Sequence, residues 1–316
     1  MEDAFKDLAR YYDPLMAHVN YDRWEVVVRA LAEMLPAPFV HLDAACGTAT
    51  LIKRLRKAGW ASVGCDLSPA MLRAGRKGAR KLPVVAADLR AMPFRHVDFV
   101  TCLFDSLNFL LTERDMRKAL RELAGVLRPG GLLYFDIVTE RMVTEHFEGQ
   151  RWTERTGRIS STWDSRYHRD NQISETVVKV NHDAQSVIRE RMYPREQVEQ
   201  AITDTGLTLL GAFDAETWRS PTRKTLRIDY LACNGNASAY TKPLKQIAQG
   251  IRGLQGNPAK YARRLRLQGS ARSSCRSSRR RPAGPGPRRH VSRSWYRESS
   301  RSSSESAGRV PWRSRR

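Results

Sequence analysis

The chain has 316 residues and a formal net charge of +22, with 41% apolar and 28% charged residues. The charge is concentrated: residues 238–316 hold 18 Arg and 3 Lys against Glu298 and Glu305, or +19, leaving +3 for residues 1–237. A near-neutral body of that length can bury one sizeable core, and its apolar runs are cut by charges well short of the roughly 18 residues of a membrane span, so no transmembrane helix is expected.

The opening Met1-Glu2-Asp3-Ala4-Phe5-Lys6-Asp7 is acidic and amphipathic. It lacks the basic start and apolar stretch of a secretory signal, which predicts a cytoplasmic protein. Cys46, Cys65, Cys102, Cys233 and Cys275 are odd in number and form no Cys-x-x-Cys pair, so neither a disulfide framework nor a zinc site is indicated. Tyr11-Tyr12-Asp13-Pro14 breaks any early helix, and residues 22–31 then show apolar positions at helical spacing, ending near Pro36.

From residue 39 the pattern alternates short apolar runs with helical stretches, as parallel strands joined by crossover helices do. Strands are predicted at 39–43, 61–66, 84–87, 97–103 and 131–137, with helices at 51–58, 69–77 and 113–127. Between 139 and 193 the periodicity changes: Trp152, Ile159, Trp163, Tyr167, Ile173, Val177, Val178 and Val180 recur among charges, which predicts an insertion of twisted antiparallel strands. A helix over 194–205, a stop at Gly206 and strands at 207–213 and 225–233 follow; two successive strands without a crossover helix should pair antiparallel. From 238 onward Arg and Ser displace branched apolar residues around Pro282-Ala283-Gly284-Pro285-Gly286-Pro287, which predicts disorder beyond a short helical remnant near 244–254.

The chemistry concentrates at strand ends. Val40-His41-Leu42-Asp43-Ala44-Ala45-Cys46-Gly47-Thr48-Ala49-Thr50 reads as a strand ending in a carboxylate, a tight small-residue turn and a helix, where small residues let a ligand approach the backbone. Such turns also serve packing alone. The next strand ends Gly64-Cys65-Asp66, placing a second carboxylate 23 residues after Asp43, near the spacing at which an acidic side chain holds a nucleoside ribose. The third supplies Ala87-Asp88-Leu89. Neither G-x-x-x-x-G-K-[ST] nor G-x-G-x-x-G is present, against nucleotide-phosphate and nicotinamide readings.

Together these residues resemble the class I S-adenosylmethionine-dependent methyltransferases over most of residues 1–235. Asp43 through Ala49 keep the acid and middle glycine of the family's acidic residue followed by G-x-G-x-G, with Ala45 and Ala49 in place of glycines. Leu127-Arg128-Pro129-Gly130-Gly131-Leu132 is similar to the turn into the family's fifth strand, and Phe104-Asp105-Ser106-Leu107-Asn108-Phe109-Leu110 to the small-molecule branch that includes glycine and amino-sugar N-methyltransferases. The resemblance implies an α/β Rossmann-like fold, a seven-stranded mostly parallel sheet with helices on both faces, a β-rich lid at 139–193 and a disordered basic tail. It implies S-adenosylmethionine as cofactor, Asp66 on the ribose hydroxyls, Asp43 with Ala45 and Gly47 toward the methionine part, Leu67 beside them, Asp88 and Leu89 at the adenine, and Cys102 to Phe104 on the methyl-transfer side. Turn-capping roles for Asp43, Asp66 and Asp88 are the plain alternatives.

A base is optional for this reaction; the candidates are Tyr11, Tyr12, His146 and His168, each of which could equally be structural, the tyrosines also as cation–π walls. The expected partner is a small-molecule acceptor, because Phe104-Asp105-Ser106-Leu107 replaces the D/N-P-P-Y/F motif and no Pro-Cys nucleophile occurs. Trp152, Trp163 and Tyr167 could line the acceptor or form ordinary sheet core. Alternatives are an RNA or protein methyltransferase targeted by the arginine-rich segment through phosphate neutralisation, and a non-catalytic S-adenosylmethionine-binding module. That segment could also be a GC-rich coding region read out of frame.

Overall fold

A computed structural model describes residues 3–76 and 82–254. The expectation of a disordered tail falls, past Leu254, outside the described residues.

The chain opens with a one-turn helix α1 (Tyr12–Leu15), whose Pro14 sits early enough to leave no helical acceptor orphaned, then α2 (Tyr21–Ala32), capped where Asn20 Oδ1 accepts from the Arg23 N–H at 3.1 Å. The alternating region gives β1 (Val40–Ala44), α3 (Thr50–Lys57), β2 (Ala61–Asp66), α4 (Pro69–Gly75), β3 (Val84–Ala86), β4 (Val97–Cys102), a 3₁₀ turn at Ser106–Phe109, α5 (Glu113–Val126) and β5 (Leu127–Val138). The predicted insertion is α6 (Glu140–His146) followed by a four-stranded antiparallel meander, β6 (Arg151–Thr156), β7 (Ile159–His168), β8 (Ile173–Val180) and β9 (Ala184–Arg191). Then come α7 (Arg195–Thr203), β10 (Thr208–Asp214), β11 (Arg227–Cys233) and α8 (Ser238–Arg252).

The main sheet has strand order β10-β11-β5-β4-β1-β2-β3. Strands β1 to β5 are mutually parallel, and β11 runs antiparallel to both its neighbours, β5 and β10. Side chains alternate across it. Leu42, Leu133 and Phe135 face a core closed by Met116, Ala119, Leu120 and Leu123 of α5 and Val198 and Ile202 of α7. Phe99, Leu132, Tyr134 and Leu231 face the other, closed by Trp24, Val28 and Leu31 of α2, Leu51 and Leu55 of α3, and Tyr240, Leu244, Ile247 and Ile251 of α8. Strands buried on both faces explain the near-continuous apolar runs read from the sequence.

Helix α8 corrects the expected boundary at residue 237. Its apolar residues recur at helical spacing and close the α2 side of the core, and Tyr240 Oη donates to the Gly130 carbonyl. Residues 238–254 therefore belong to the folded body; the five buried apolar side chains, Ala248 included, outweigh the charge bias of the surrounding sequence.

Candidate active site

The chain winds outward from β1 to β3, then returns to place β4 on the other side of β1. At such a switch the loops leave in opposite directions and open a crevice beyond the carboxyl ends of the strands. A cavity of about 1420 Å³ lies there, walled by the ends of β1, β2 and β4, by the N-terminal segment and by one face of the β6–β9 meander. Asp43, Ala45, Gly47, Asp66, Leu67, Asp88 and Leu89, expected at the cofactor, all line it.

The turn after β1 holds three left-handed residues in alternation: Ala45 at φ +57°, Gly47 at +56° and Ala49 at +59°. Two are alanines, each at a cost of roughly 1–2 kcal/mol relative to a right-handed conformation. The compensation is local. Cys46 N–H donates to the Cys65 carbonyl at 2.8 Å, Ala49 N–H to the Cys46 carbonyl at 2.8 Å, and Gly47 N–H to Asp66 Oδ2 at 2.7 Å. Close packing holds the turn from behind: a Cβ on Gly75 of α4 would collide with the Thr48 backbone, and one on Gly64 would collide with Ile52. Thr48 Oγ1 donates to Asp13 Oδ1, tying α1 over the turn.

Asp66 also accepts from the Ser68 N–H through Oδ1 at 2.8 Å, so each oxygen holds one backbone donor and keeps a lone pair for another. Burial pushes its pKa up, against the two N–H bonds. Asp88 is partly exposed and committed to Arg90, which reaches it through Nη2 at 2.6 Å and Nε at 3.0 Å, with the Arg90 N–H at 2.8 Å. Those bonds to Arg90 hold its pKa below the ordinary carboxylate value. The turn-capping alternative is thus realised at Asp88 alongside its place in the cavity wall.

Asp43 ends a chain of hydrogen bonds that sequence reading missed. Thr101 Oγ1 donates to Asp43 Oδ1 at 2.6 Å, His41 Nε2 lies 3.0 Å from Thr101 Oγ1, and His41 Nδ1 lies 3.0 Å from Ser62 Oγ. Burial lowers the His41 pKa to about 3, so the ring is neutral. Because Thr101 uses its proton on Asp43, the ring donates through Nε2 and accepts from Ser62 through Nδ1, and every donor in the string points toward Asp43. Burial nonetheless raises the Asp43 pKa to about 7, opposed by Thr101 and helped by Asp66. A fully buried histidine in an apolar strand was the available signal.

Of the proposed bases, only Tyr12 borders the cavity, its hydroxyl pushed up by burial and then by neighbouring Tyr21, Asp105 and Asp66. Tyr11 instead donates to Asp183 at 2.7 Å. His146 ends α6 and His168 is exposed at the end of β7; neither borders the cavity. Cys102 is likewise misplaced in the expectation. Strand alternation turns it into the sheet core with Leu133 and Phe135, fully buried, while Leu103 and Phe104 reach the cavity. The aromatic trio divides: Trp152 and Trp163 stack at 5.7 Å and 6° on the cavity wall, whereas Tyr167 packs with Val138, Val143 and Met192 and donates to Glu140.

The strand order, with one antiparallel strand inserted beside β5, and a cavity edged by three strand-end carboxylates define the class I S-adenosylmethionine-dependent methyltransferase architecture. Residues 42–131 match a family described as a methyltransferase domain. YqeM of Bacillus subtilis, provisionally named a methyltransferase, is 29% identical over 223 residues, spanning 65% of this chain and 87% of that protein. The demethylmenaquinone methyltransferase of Mycolicibacterium paratuberculosis is 39% identical over 134 residues, covering 41% of this chain and 55% of the enzyme. A crystal structure of an S-adenosylmethionine-dependent methyltransferase from Clostridium acetobutylicum superposes with a TM-score of 0.65 at 22% identity, over 74% of this chain and all of that one. The chain carries a methyltransferase domain, its relatives are named as methyltransferases, and its fold is that of the class I S-adenosylmethionine-dependent enzymes. Its residues fit that cofactor: the cavity is large enough, and Asp66, which holds one backbone N–H on each oxygen, keeps a lone pair on each for a ribose hydroxyl. Among the described residues there is no candidate metal cluster and no helix long and apolar enough to cross a membrane.

Proposed function

We propose that the protein transfers a methyl group to a nucleophilic nitrogen or oxygen of a small molecule. The observation that carries this reading is that the carboxylates of β1, β2 and the loop after β3 share one cavity with aromatic side chains of the β6–β9 meander, so donor and acceptor spaces are continuous. The meander then acts as a lid over the acceptor. The similarity to a demethylmenaquinone methyltransferase supports a small-molecule acceptor.

The sulfonium cofactor supplies an electrophilic methyl group that needs no activation. Asp66 accepts from the ribose hydroxyls with its free lone pairs, each charge-assisted bond being worth about 1.5–3 kcal/mol. Asp43, whose ionised form Thr101 favours against burial, faces the amino-acid end. Leu67 and Leu89 flank the base, with Asp88 at the rim. Tyr12, bordered by both Asp66 and Asp105, stands where the two spaces meet and offers its ring to the positive sulfur. Alignment of the nucleophile in line with the bond being broken provides most of the acceleration, up to roughly 7–11 kcal/mol in favourable cases.

Titration calorimetry with S-adenosylhomocysteine on wild type and Asp66→Ala tests the cofactor half; equal affinities refute the ribose assignment. Product release measured over small amines, phenols, hydroxy acids, bulk RNA and protein tests the acceptor class, and turnover confined to RNA or protein refutes it.

A further inference from the structure

Where the cavity passes the end of β4, charged side chains from four separate elements converge. Asp105 follows β4 in a left-handed conformation, φ +50°, and its N–H donates to Asp136 Oδ2 of β5 at 3.1 Å. Arg227 of β11 pairs with Asp105 at 3.2 Å and with Asp136. Glu190 of β9 lines the same wall, with its carboxyl against that of Asp105 and Arg227 as the opposing charge. Behind them Asp229 pairs with Arg23 at 3.0 Å and accepts from Tyr134 Oη at 2.9 Å.

Four carboxylates thus face two guanidinium groups, and one oxygen each of the fully buried Asp136 and Asp229 has no hydrogen-bond partner. Even with Glu190 protonated, three carboxylates remain against the two guanidinium groups, and burying unbalanced negative charge is costly, so this part of the site is short of positive charge. The lid adds an apolar face, Val143, Phe147, Trp152, Trp163 and Ile188, beside polar Ser174 and Thr176; Arg189, which also borders the cavity, is paired with Glu175 at 2.7 Å. The indole N–H groups of Trp152 and Trp163 are taken by Glu154 and Ser161 at 3.1 and 3.0 Å, which leaves their faces as apolar surface.

We propose that the methyl acceptor is an amphipathic amine, its ammonium group received by Glu190 and Asp105 and its apolar body held against Phe147, Trp152 and Trp163. This rests on the small-molecule reading above. Burial, reinforced by Asp105, holds the Glu190 pKa well above the ordinary carboxylate value, so the carboxyl keeps its proton until a cation arrives. The arriving ammonium displaces that proton to solvent. It then returns one of its own: an N–H bond breaks, its electron pair stays on nitrogen, and an O–H bond forms on Glu190. The freed pair forms the N–C bond as the C–S bond breaks, its electrons remaining on sulfur, and the product leaves as a methylated ammonium ion. A phenol or alcohol ionised at the same point would instead add negative charge where carboxylates already crowd.

The probes are 1-naphthylmethylamine and its neutral counterpart 1-naphthalenemethanol, titrated near neutral pH against full-length protein saturated with S-adenosylhomocysteine. The amine binds at least about tenfold more tightly than the alcohol, the scale of one charge-assisted hydrogen bond. Glu190→Gln erases that preference while leaving affinity for the alcohol and for S-adenosylhomocysteine unchanged. Should Glu190→Gln fail to fold, Asp105→Asn serves the same comparison. Equal binding of the two probes, an unchanged preference in the variant, or no binding of either by wild type overturns the proposal. If neither binds while phenols or hydroxy acids are methylated, the small-molecule reading survives; if only RNA or protein is methylated, both fall.

Discussion

The two halves of the cavity are built in different ways. The half proposed for the cofactor is local: Asp43, the turn at 45–49, Asp66 and Asp88 lie at successive strand ends within 46 residues, and backbone hydrogen bonds tie the turn and the loop after β3 to the end of β2. The half proposed for the acceptor is assembled from afar. Asp105, Asp136, Glu190 and Arg227 come from the β4 loop, β5, the lid and the antiparallel strand, so the last of them is 122 residues from the first. Rigid backbone recognition suits a ligand that never changes, while side chains gathered from separable elements can be altered without disturbing it.

Breaking the local half has the largest expected effects. Gly75→Ala drives a Cβ into the Thr48 backbone; overpacking of that kind costs about 1–3 kcal/mol, and the turn shifts with it. Both the melting temperature and S-adenosylhomocysteine affinity fall, measured by calorimetry. Thr101→Val removes the donor to Asp43 at nearly constant shape, and affinity at neutral pH drops by about tenfold, the consequence of one lost hydrogen bond of roughly 1–1.5 kcal/mol.

The pH response separates binding from stability. The Asp43 pKa is raised in the fold to about 7, so between the ordinary carboxylate value and 7 the folded protein binds more protons than the unfolded chain. Stability of the ligand-free protein therefore decreases as pH climbs through that window. Cofactor affinity moves the other way, because the ionised carboxylate is the form that meets an ammonium group. Parallel thermal melts and titrations between pH 5 and about 8 display the crossing trends, which Asp43→Asn flattens.

The lid should be separable. Trp163→Ala raises the Michaelis constant for acceptor several-fold and leaves S-adenosylhomocysteine affinity within about twofold, as expected when a large aromatic surface is lost from one half alone. The smallest effect is a gain: Ala45→Gly with Ala49→Gly relieves two left-handed alanines and raises the melting temperature by a few degrees, net of the entropy that glycine loses on folding.

Legibility in the sequence followed the same division. Strand-end carboxylates and the small-residue turn stood out because their geometry depends on neighbours in the chain, and each lines the cavity. Of the run expected on the methyl-transfer side, Leu103 and Phe104 line the cavity, while strand alternation turns Cys102 into the core. His146 and His168 were attractive as chemical types only; placing them required knowing which face of the insertion meets the cavity. Arg227 and Glu190 gave no local sign, being ordinary charged residues at the ends of strands whose partners lie far away. Helix α8 was underestimated because composition averaged over 79 residues masked five apolar positions at helical spacing.

That last helix has a practical consequence. A shortened protein ending at residue 237 would uncover the flanks of Trp24 and Leu31 and leave the Gly130 carbonyl without its tyrosine, so it would precipitate or melt early, and its failure could be misread as a need for the arginine-rich segment. Cutting after Leu254 keeps the hydrophobic seal intact and lets the contribution of the remaining residues be weighed by itself.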